Sequence, residues 1–307
     1  MQLGFVGLGK MGSNMVHRLR RDGNHEVVAF DMNEDARHTV EAFGATTAPS
    51  LQELVGHLSP RRVVWIMVPA GDPTESTIRT LLSFLSAGDI IIDGGNSKFT
   101  DSLLHAELCR DKGVSFIDAG TSGGIWGLEV GYCLMVGGDA DDVSYATPIF
   151  TTLAPPDGFL HVGPVGSGHY VKMIHNGIEY GLLEAYAEGF SLLRNSKRFE
   201  NLDLHAIAHL WNQGSVVRSW LLELAERALD HDPDLESIEG WVDDSGEGRW
   251  TVFEAIDASV PTPVLALSLM ARFASRGEDE FGNRMIAALR NEFGGHAMKV
   301  QSATEGK

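Results

Sequence analysis

Apolar runs alternate with amphipathic stretches through the first half of this chain, and this alternation constrains its fold more than any other feature. Six apolar runs are predicted as strands: Leu3–Val6, Glu26–Phe30, Arg62–Val68, Asp89–Ile92, Val114–Asp118 and Tyr132–Val136. Helical periodicity lies between most of them, near 11–22, 33–43, 75–85, 99–111 and 139–153. Strands that alternate with helices form a mostly parallel sheet with helical crossovers.

The second half of the chain has a different pattern. Val162–Ser167 is rich in glycine and proline and is predicted to be a linker. A long helix is predicted from about His169, with further helices near 202–212, 216–230, 250–258, 262–275 and 280–292 and no strand. We therefore expect an α/β domain over residues 1–165, followed by an all-helical domain over residues 166–307.

Charge and composition exclude several kinds of partner. The formal net charge of −18 argues against nucleic acid and anionic membranes, which require basic surface. It does not argue against a small anionic substrate, because a few cations can dominate the field of a cleft. No apolar run approaches the ~20 residues that span a bilayer. The two cysteines have neither metal nor redox spacing, so a cytoplasmic protein is expected.

A glycine loop follows the first strand and opens the first helix. Gly7-Leu8-Gly9-Lys10-Met11-Gly12 has the spacing G-x-G-x-x-G. In this context the glycines allow a tight turn and close approach to a pyrophosphate at the helix N-terminus. The pattern predicts a Rossmann-type, doubly wound dinucleotide-binding domain.

Asp31 ends the second strand, about 20 residues beyond this loop. An acid at that place accepts hydrogen bonds from the adenosine ribose hydroxyls, and its charge repels a 2′-phosphate. Arg37, the next arginine, lies on the following helix. We therefore expect NAD to be preferred and NADP to be less favoured; helix capping by Asp31 is the structural alternative.

Two further loops follow predicted strands. Val68-Pro69-Ala70 is expected to pass near the nicotinamide, and Asn96 lies in the turn Asp93-Gly94-Gly95-Asn96-Ser97. Ligands of open α/β sheets bind at the carboxyl ends of strands, so Asn96 can contact the substrate or the nicotinamide.

Four polar residues share one face of the long helix. Lys172, His175, Asn176 and Glu179 have the spacing i, i+3, i+4, i+7, whereas Val171, Ile174, Ile178, Leu182 and Leu183 are expected to fill other faces. A buried amine and a buried carboxylate are costly unless they are paired or used in chemistry. An active site and a structural polar network are both open from this segment alone.

The combined motifs resemble the β-hydroxyacid dehydrogenase superfamily. Asp118-Ala119-Gly120-Thr121-Ser122-Gly123-Gly124 is predicted to be a turn after a strand, and the Lys172 helix follows it. Within the superfamily, DGGNS, GTSGGIWGLEVGYCLMVGG and KMIHNGIEYG resemble the decarboxylating 6-phosphogluconate dehydrogenases, in their short bacterial form.

This resemblance implies a role for each residue. Lys172 would be the general base for oxidation at C3 and, once protonated, would stabilise the enolate formed as CO2 leaves. Glu179 would be the acid that protonates C1, and no metal would be required. The implied substrate contacts are Asn96, Ser122, Gly123, Gly124, His175, Asn176, Tyr180, Arg272, Arg290 and His296. The substrate would be a small sugar-acid phosphate.

The helical half also matches the family, with one departure. Longer members have Lys and Thr for phosphate binding where this chain has Ser245 and Glu247, and Arg249 is a possible substitute. The tail motif holding Arg290 and His296 enters the neighbouring subunit's site in the family, which implies a homodimer or a larger homo-oligomer.

Two other functions stay open. A related dehydrogenase acting on gluconate or on a 3-hydroxyisobutyrate-type acid would keep Lys172, Ser122 and Asn176 but would not need Glu179. A non-catalytic NAD-binding protein would have no chemical reason to keep Lys172 and Glu179.

Overall fold

The computed structural model describes residues 1–277 and Met285. The chain divides into two compact units, Met1–Gly177 and Ile178–Lys307. The domain boundary predicted at residues 165/166 stays a prediction, and the helix predicted near 280–292 lies outside the described residues apart from Met285.

One eight-stranded sheet organises the first unit. Its strands are β1 (Gln2–Val6), β2 (Glu26–Phe30), β3 (Thr46–Thr47), β4 (Val63–Ile66), β5 (Ile90–Asp93), β6 (Ser115–Ser122), β7 (Cys133–Gly137) and β8 (Phe159–Gly163). The spatial order is β3-β2-β1-β4-β5-β6-β7-β8, and every neighbouring pair is parallel except β6 with β7. The order reverses beside β1, as in doubly wound folds, and the predicted fold class is confirmed.

Seven helices connect the strands: α1 (Lys10–Gly23), α2 (Glu34–Glu41), α3 (Leu51–Gly56), α4 (Asp72–Leu81), α5 (Phe99–Arg110), α6 (Gly127–Val130) and α7 (Ala140–Leu153). The helices that follow the sheet are α8 (Ser167–Arg194), α9 (Leu204–Asn212), α10 (Trp220–His231), α11 (Glu247–Asp257) and α12 (Pro263–Arg276). The described part of the second unit contains helices and no strand, as expected.

Three details of the strand prediction were wrong. The two-residue β3 was missed because it is too short to show a pattern. Strand β8 was missed because its residues are mostly half-buried, and it overlaps the segment taken as a linker. Strand β6 continues past Asp118 to Ser122 because Asp118–Ser122 pairs with β7, so the turn begins at Gly123.

Alternate strand residues fill two apolar layers, one on each face of the sheet. On β4, Trp65 belongs to one layer and Ile66 to the other; on β5, Ile92 and Ile91 divide in the same way. Successive side chains of a strand point to opposite faces, so a sheet covered on both sides needs continuous apolar runs.

The helical unit buries much less of its apolar surface within the described residues. Its one cluster of buried residues consists of Ala208, Leu222 and Leu229. The expectation that apolar residues bury the other faces of α8 was wrong for four positions, because Val171, Ile178, Leu182 and Leu183 are exposed. The spacing of these side chains predicted that the apolar face of α8 is buried, but spacing does not identify the surface that buries it.

Candidate active site

The three glycines of the G-x-G-x-x-G motif have different steric roles. Gly7 has φ 94°, and a Cβ there would lie 2.3 Å from the Met67 carbonyl oxygen. A Cβ on Gly12 would lie 2.1 Å from the Gly7 carbonyl oxygen, so α1 packs directly on the turn. A Cβ on Gly9 would meet no described atom within 4 Å, and Gly9 caps α1 without a side-chain hydrogen bond. This open, uncapped helix N-terminus fits a pyrophosphate.

Asp31 is tied to the glycine loop. Its Oδ2 accepts a hydrogen bond from the Leu8 amide at 2.7 Å, and its Oδ1 accepts from the Asn33 amide at 2.8 Å. Asn33, and not Asp31, is the capping residue of α2. Arg37 donates to the Asp31 carbonyl oxygen at 2.7 Å. The Asp31 carboxylate therefore lies beside the dinucleotide loop, where a ribose hydroxyl donor fits its remaining acceptor capacity.

The loops after β4 and β5 meet at the same edge of the sheet. Asp93 is fully buried; it accepts from the Gly95 amide at 3.0 Å and from the Ser97 hydroxyl at 2.7 Å. These bonds shape the turn that presents Asn96. A Cβ on Gly95 would lie 3.0 Å from the Val68 carbonyl oxygen, so the Asn96 turn touches the loop Val68-Pro69-Ala70.

Glycines bring α8 unusually close to β6 and β7. A Cβ on Gly120 of β6 would lie 2.5 Å from the Lys172 Cβ, and one on Gly168 of α8 would lie 2.5 Å from the Asp118 and Met135 carbonyl oxygens. A Cβ on Gly137 of β7 would lie 2.8 Å from the Gly168 amide nitrogen. The helix backbone therefore rests on the strand backbones, and Lys172 begins at the surface of the sheet.

Asp118 anchors the start of this helix. Its Oδ1 accepts from the Gly166 amide at 2.6 Å, and its Oδ2 accepts from the His169 amide at 2.8 Å. These are amides at the N-terminal end of α8, which need acceptors from outside the helix. Burial raises the pKa of the Asp118 carboxyl, while the His169 and Gly166 amides oppose that shift.

The amine of Lys172 is at the centre of the predicted site. The residue is 8% exposed, and its Nζ donates a hydrogen bond to the Asn96 Oδ1. The structure thus joins two predicted site residues that are 76 positions apart in the chain.

The other polar residues of the stripe follow Lys172 along α8. His175 is exposed, and its Nδ1 lies 2.9 Å from the Asn176 Oδ1. Asn176 and Glu179 are half-buried. All four stripe residues lie on one continuous helix, as their spacing predicted.

Helix α1 holds the segment after β6. Ser122 is the last residue of β6, and Gly123 and Gly124 follow with φ 131° and 53°. Asn14 donates to the Ile125 carbonyl oxygen at 3.2 Å, and Arg18 donates to the Leu128 carbonyl oxygen at 3.1 Å. The helix that begins at the glycine loop therefore also supports the predicted substrate turn.

A second group of predicted residues meets in the helical unit. The Arg272 guanidinium lies 3.3 Å from the centre of the Tyr180 ring, a cation–π contact, and donates to the Asp243 carbonyl oxygen at 3.2 Å. A Cβ on Gly248 would lie 2.4 Å from the Tyr180 ring, so α11 packs closely against it. Burial raises the pKa of the Tyr180 phenol, although Ser245 and Arg272 oppose the shift.

Two further arginines lie near the Asp244 carboxylate. Arg249 forms an ion pair with this carboxylate, and Arg276 lies 3.7 Å from it. Burial raises the pKa of Asp244, but hydrogen bonds from Arg249 and the Gly246 amide and the nearby charges lower it by more. Arg249, the possible phosphate ligand, is therefore already paired with a carboxylate. Glu247, the departure from the family motif, is buried.

Several residues that shape the site had no role in the sequence analysis. Asp118 and Asp93 lie within motifs, but their amide partners follow from tertiary structure. Asp244 precedes α11 and Arg276 ends α12, and sequence spacing gives no signal for their approach. Arg290 and His296 lie outside the described residues, so their expected roles stay predictions.

The described part of the chain has no group of three or more metal-binding side chains. Among the same residues, every helix is too short or too polar to cross a membrane.

Comparison with known proteins identifies the family. The profile described as the NAD binding domain of 6-phosphogluconate dehydrogenase matches residues 2–163. The profile described as the C-terminal domain of 6-phosphogluconate dehydrogenase matches residues 168–290. The chain belongs to the 6-phosphogluconate dehydrogenase family. The resemblance stated from the motifs is confirmed, and so is a domain for a nicotinamide dinucleotide.

Two members of this 6-phosphogluconate dehydrogenase family match nearly from end to end. A putative 6-phosphogluconate dehydrogenase of Bacillus subtilis is 45% identical, over 97% of this chain and 99% of its own length. The NAD(+)-dependent, decarboxylating 6-phosphogluconate dehydrogenase of Haloferax volcanii is also 45% identical, with 96% and 98% covered.

A solved 6-phosphogluconate dehydrogenase has a similar structure. The enzyme of Plasmodium falciparum, described in its apo form and in complexes with NADP+ and with 6-phosphogluconate, matches with a TM-score of 0.83 at 26% identity. The match covers 100% of this chain and 67% of the Plasmodium chain. A 3-hydroxyisobutyrate dehydrogenase of Mycobacterium tuberculosis shares the fold, with a TM-score of 0.72 at 22% identity over 89% of this chain and 94% of its own.

Proposed function

We propose that this chain oxidises and decarboxylates 6-phosphogluconate to ribulose 5-phosphate and CO2, with NAD as the preferred hydride acceptor. The observation that carries the proposal is the buried Lys172 amine, held by Asn96 beside the cofactor loops. The family and the names of the relatives at 45% identity support the substrate.

Lys172 acts as the base in the oxidation. Its neutral amine takes the proton of the substrate 3-hydroxyl as the C3 hydride leaves, and Asn96 orients the amine. The bound nicotinamide supplies the hydride acceptor. Asn96, Ser122, Gly123 and Gly124 hold the sugar acid at the carboxyl edge of the sheet.

Lys172 and Glu179 divide the second half of the reaction. The 3-keto acid loses CO2 when its C1–C2 bond breaks, and the electron pair passes to the C3 oxygen, where the Lys172 ammonium stabilises the enolate. Glu179 then gives a proton to the former C2 of the substrate, which becomes C1 of ribulose 5-phosphate. His175 and Asn176, between them on α8, contact the substrate hydroxyls. Because an ammonium stabilises the enolate, we expect turnover to persist in EDTA.

Tyr180 and Arg272 form the phosphate contact of this proposal. The stacking of Arg272 on the Tyr180 ring orients a guanidinium beside a phenol donor, and guanidinium binds phosphate well. Arg290 and His296 complete the phosphate contacts from a second copy of the chain.

Asp31 supports the NAD preference. Its carboxylate is held beside the glycine loop by the Leu8 amide, where it would repel the 2′-phosphate of NADP. Arg37 bonds to the Asp31 carbonyl oxygen. The name of the Haloferax relative agrees with NAD, whereas the Plasmodium structure contains NADP+.

A homodimer is part of the proposal. Phe253 and Ile256 on α11, and Val264, Leu267 and Met270 on α12, are exposed apolar residues. Apolar surface of this extent on neighbouring helices is typical of an interface. We place the reaction in the cytoplasm as an expectation from cysteine usage alone.

An unphosphorylated sugar acid such as gluconate is the second candidate. The ion pair between Arg249 and Asp244 favours it, because it removes one cation from the set available to a phosphate.

The first experiment mixes the purified chain with NAD and 6-phosphogluconate and follows NADH and CO2 in one sample. Equal amounts of both products support oxidative decarboxylation. NADH without CO2 would contradict the decarboxylation step, and turnover with gluconate alone would replace the phosphorylated substrate. The same assay with NADP measures the cofactor preference.

A further inference from the structure

A buried hydrogen bond joins α5 to α8 outside the residues assigned above. The Ser102 hydroxyl oxygen lies 2.7 Å from the His169 Nδ1, across 67 positions of sequence. Ser102 is fully buried, and His169 is 1% exposed. A polar pair this deep is costly to form unless both groups satisfy each other, so its geometry is tightly specified.

Each residue of this pair lies close in sequence to one residue of the Lys172–Asn96 contact. His169 precedes Lys172 by three residues on α8, so the two are neighbours on the helix surface. Ser102 lies in the first turn of α5, whose capping residue Lys98 is two residues after Asn96. The Ser102–His169 bond therefore ties the element that presents Asn96 to the element that presents Lys172.

The other contacts at the start of α8 do not fix its position relative to α5. Asp118 and the close-packed glycines fix α8 to β6 and β7, not to α5. Phe99 and Tyr170 meet edge to face at 5.1 Å between centroids, which joins α5 to α8 by a contact of low directionality. The hydrogen bond at Ser102 is a directional link between the two helices.

We propose that Ser102 and His169 are positioning residues that hold the Lys172 amine against Asn96 in the geometry the base requires. The proposal rests on the proposed function, because it assigns the purpose of this geometry to proton removal. An amine displaced by about 1 Å can cost up to about 100-fold in rate while binding changes little.

The kinetic test compares Ser102→Ala, His169→Leu and the double variant with the wild-type chain. We expect kcat to fall by about 10- to 100-fold with a nearly constant KM for 6-phosphogluconate. The deuterium isotope effect on kcat with C3-deuterated substrate should rise, since hydride transfer becomes more rate-limiting. The double variant should be no slower than the slower single variant, because one bond is lost in each.

Two further variants separate positioning from a general loss of stability. His169→Asn keeps a polar atom near the Nδ1 position and should recover most of kcat. Cys109→Ala changes another buried side chain of α5, which packs in the apolar layer between α5 and the sheet. It should lower the unfolding temperature and leave the isotope effect unchanged. If Ser102→Ala behaves like Cys109→Ala, the pair is structural and the proposal is overturned.

A measurement without substrate distinguishes this proposal from the proposed function. Acetic anhydride labelling, read by mass spectrometry, compares Lys172 with the exposed Lys112. Labelling of Lys172 should rise several-fold in Ser102→Ala and in His169→Leu, and stay at the wild-type value in His169→Asn. If wild-type chain does not turn over 6-phosphogluconate, the function fails, and labelling still tests the positioning. Unchanged Lys172 labelling in both damaging variants would overturn the positioning even in an active enzyme.

Discussion

The sheet unit and the helical unit differ in how far they complete their own cores. In the sheet unit, alternate strand residues such as Trp65 and Ile66 fill two closed apolar layers. In the described part of the helical unit, residues such as Phe253 and Leu267 stay exposed. The proposed base is therefore held by a scaffold whose apolar layers close within one chain, whereas the proposed phosphate contacts are on a scaffold whose described apolar surface stays largely exposed in one chain.

The largest loss of activity is expected from a substitution in the sheet unit. Lys172→Met replaces the amine with an apolar side chain of similar length, so the packing against Gly120 persists and the base is lost. We expect NADH formation with 6-phosphogluconate to fall by about 10²- to 10⁴-fold, the range for a general base. NAD binding and the unfolding temperature, measured on the same samples, should stay close to wild type. Turnover within tenfold of wild type would refute the base assignment.

Glu179→Gln tests the proposed general acid, which lies in the helical unit. We expect ribulose 5-phosphate formation to fall by about 10²-fold, while a single-turnover burst of NADH is largely spared. Stopped-flow absorbance records the burst, and quenched samples give the product. Glu188→Gln, an exposed glutamate on the same helix, is the control and should match wild type. A burst lost together with product would contradict the division between base and acid.

A pair of leucines with similar exposure tests the difference between the units directly. Leu267 on α12 is 69% exposed, and Leu160 on β8 is 65% exposed. Leu267→Glu should weaken self-association by about 100-fold, since burying one leucine in each of two copies contributes about 2–3 kcal/mol. Leu160→Glu should leave the assembly unchanged. Light scattering after gel filtration reads both, and an active wild-type monomer would contradict the shared interface.

The smallest change is expected from the substitution of Asp31, in the preference for NAD over NADP. Asp31→Asn removes the charge that would repel a 2′-phosphate, and the preference for NAD over NADP in kcat/KM should fall by about tenfold. Asp35→Asn, an exposed acid on α2, is the control. An unchanged ratio would assign the preference to other residues of the loop.

Local patterns predicted the elements but not their long-range contacts. The Gly7–Gly12 loop and the Lys172 stripe were predictable because their spacing has direct geometric meaning in a strand, a turn or a helix. The bond between Ser102 and His169 was not, because these residues are 67 positions apart and neither belongs to a motif that predicts their contact. The exposed face of α8 was misjudged for a related reason: periodicity shows that a face is apolar, and says nothing about which chain covers it.

The glycine contact between α8 and the sheet also limits which amino-acid substitutions this protein can tolerate. An added Cβ at Gly120, Gly137 or Gly168 would lie within 2.8 Å of backbone atoms; at Gly120 it would also lie 2.5 Å from the Lys172 Cβ, and at Gly137 2.6 Å from the Asp118 Oδ1. A neighbouring substitution cannot easily make room for an added methyl group, because the neighbours are backbone atoms, the side chain of the proposed base and the carboxylate that anchors α8. We therefore expect random mutagenesis with selection for growth to recover only glycine at these three codons, while the apolar positions of the surrounding strands drift freely among residues of similar volume.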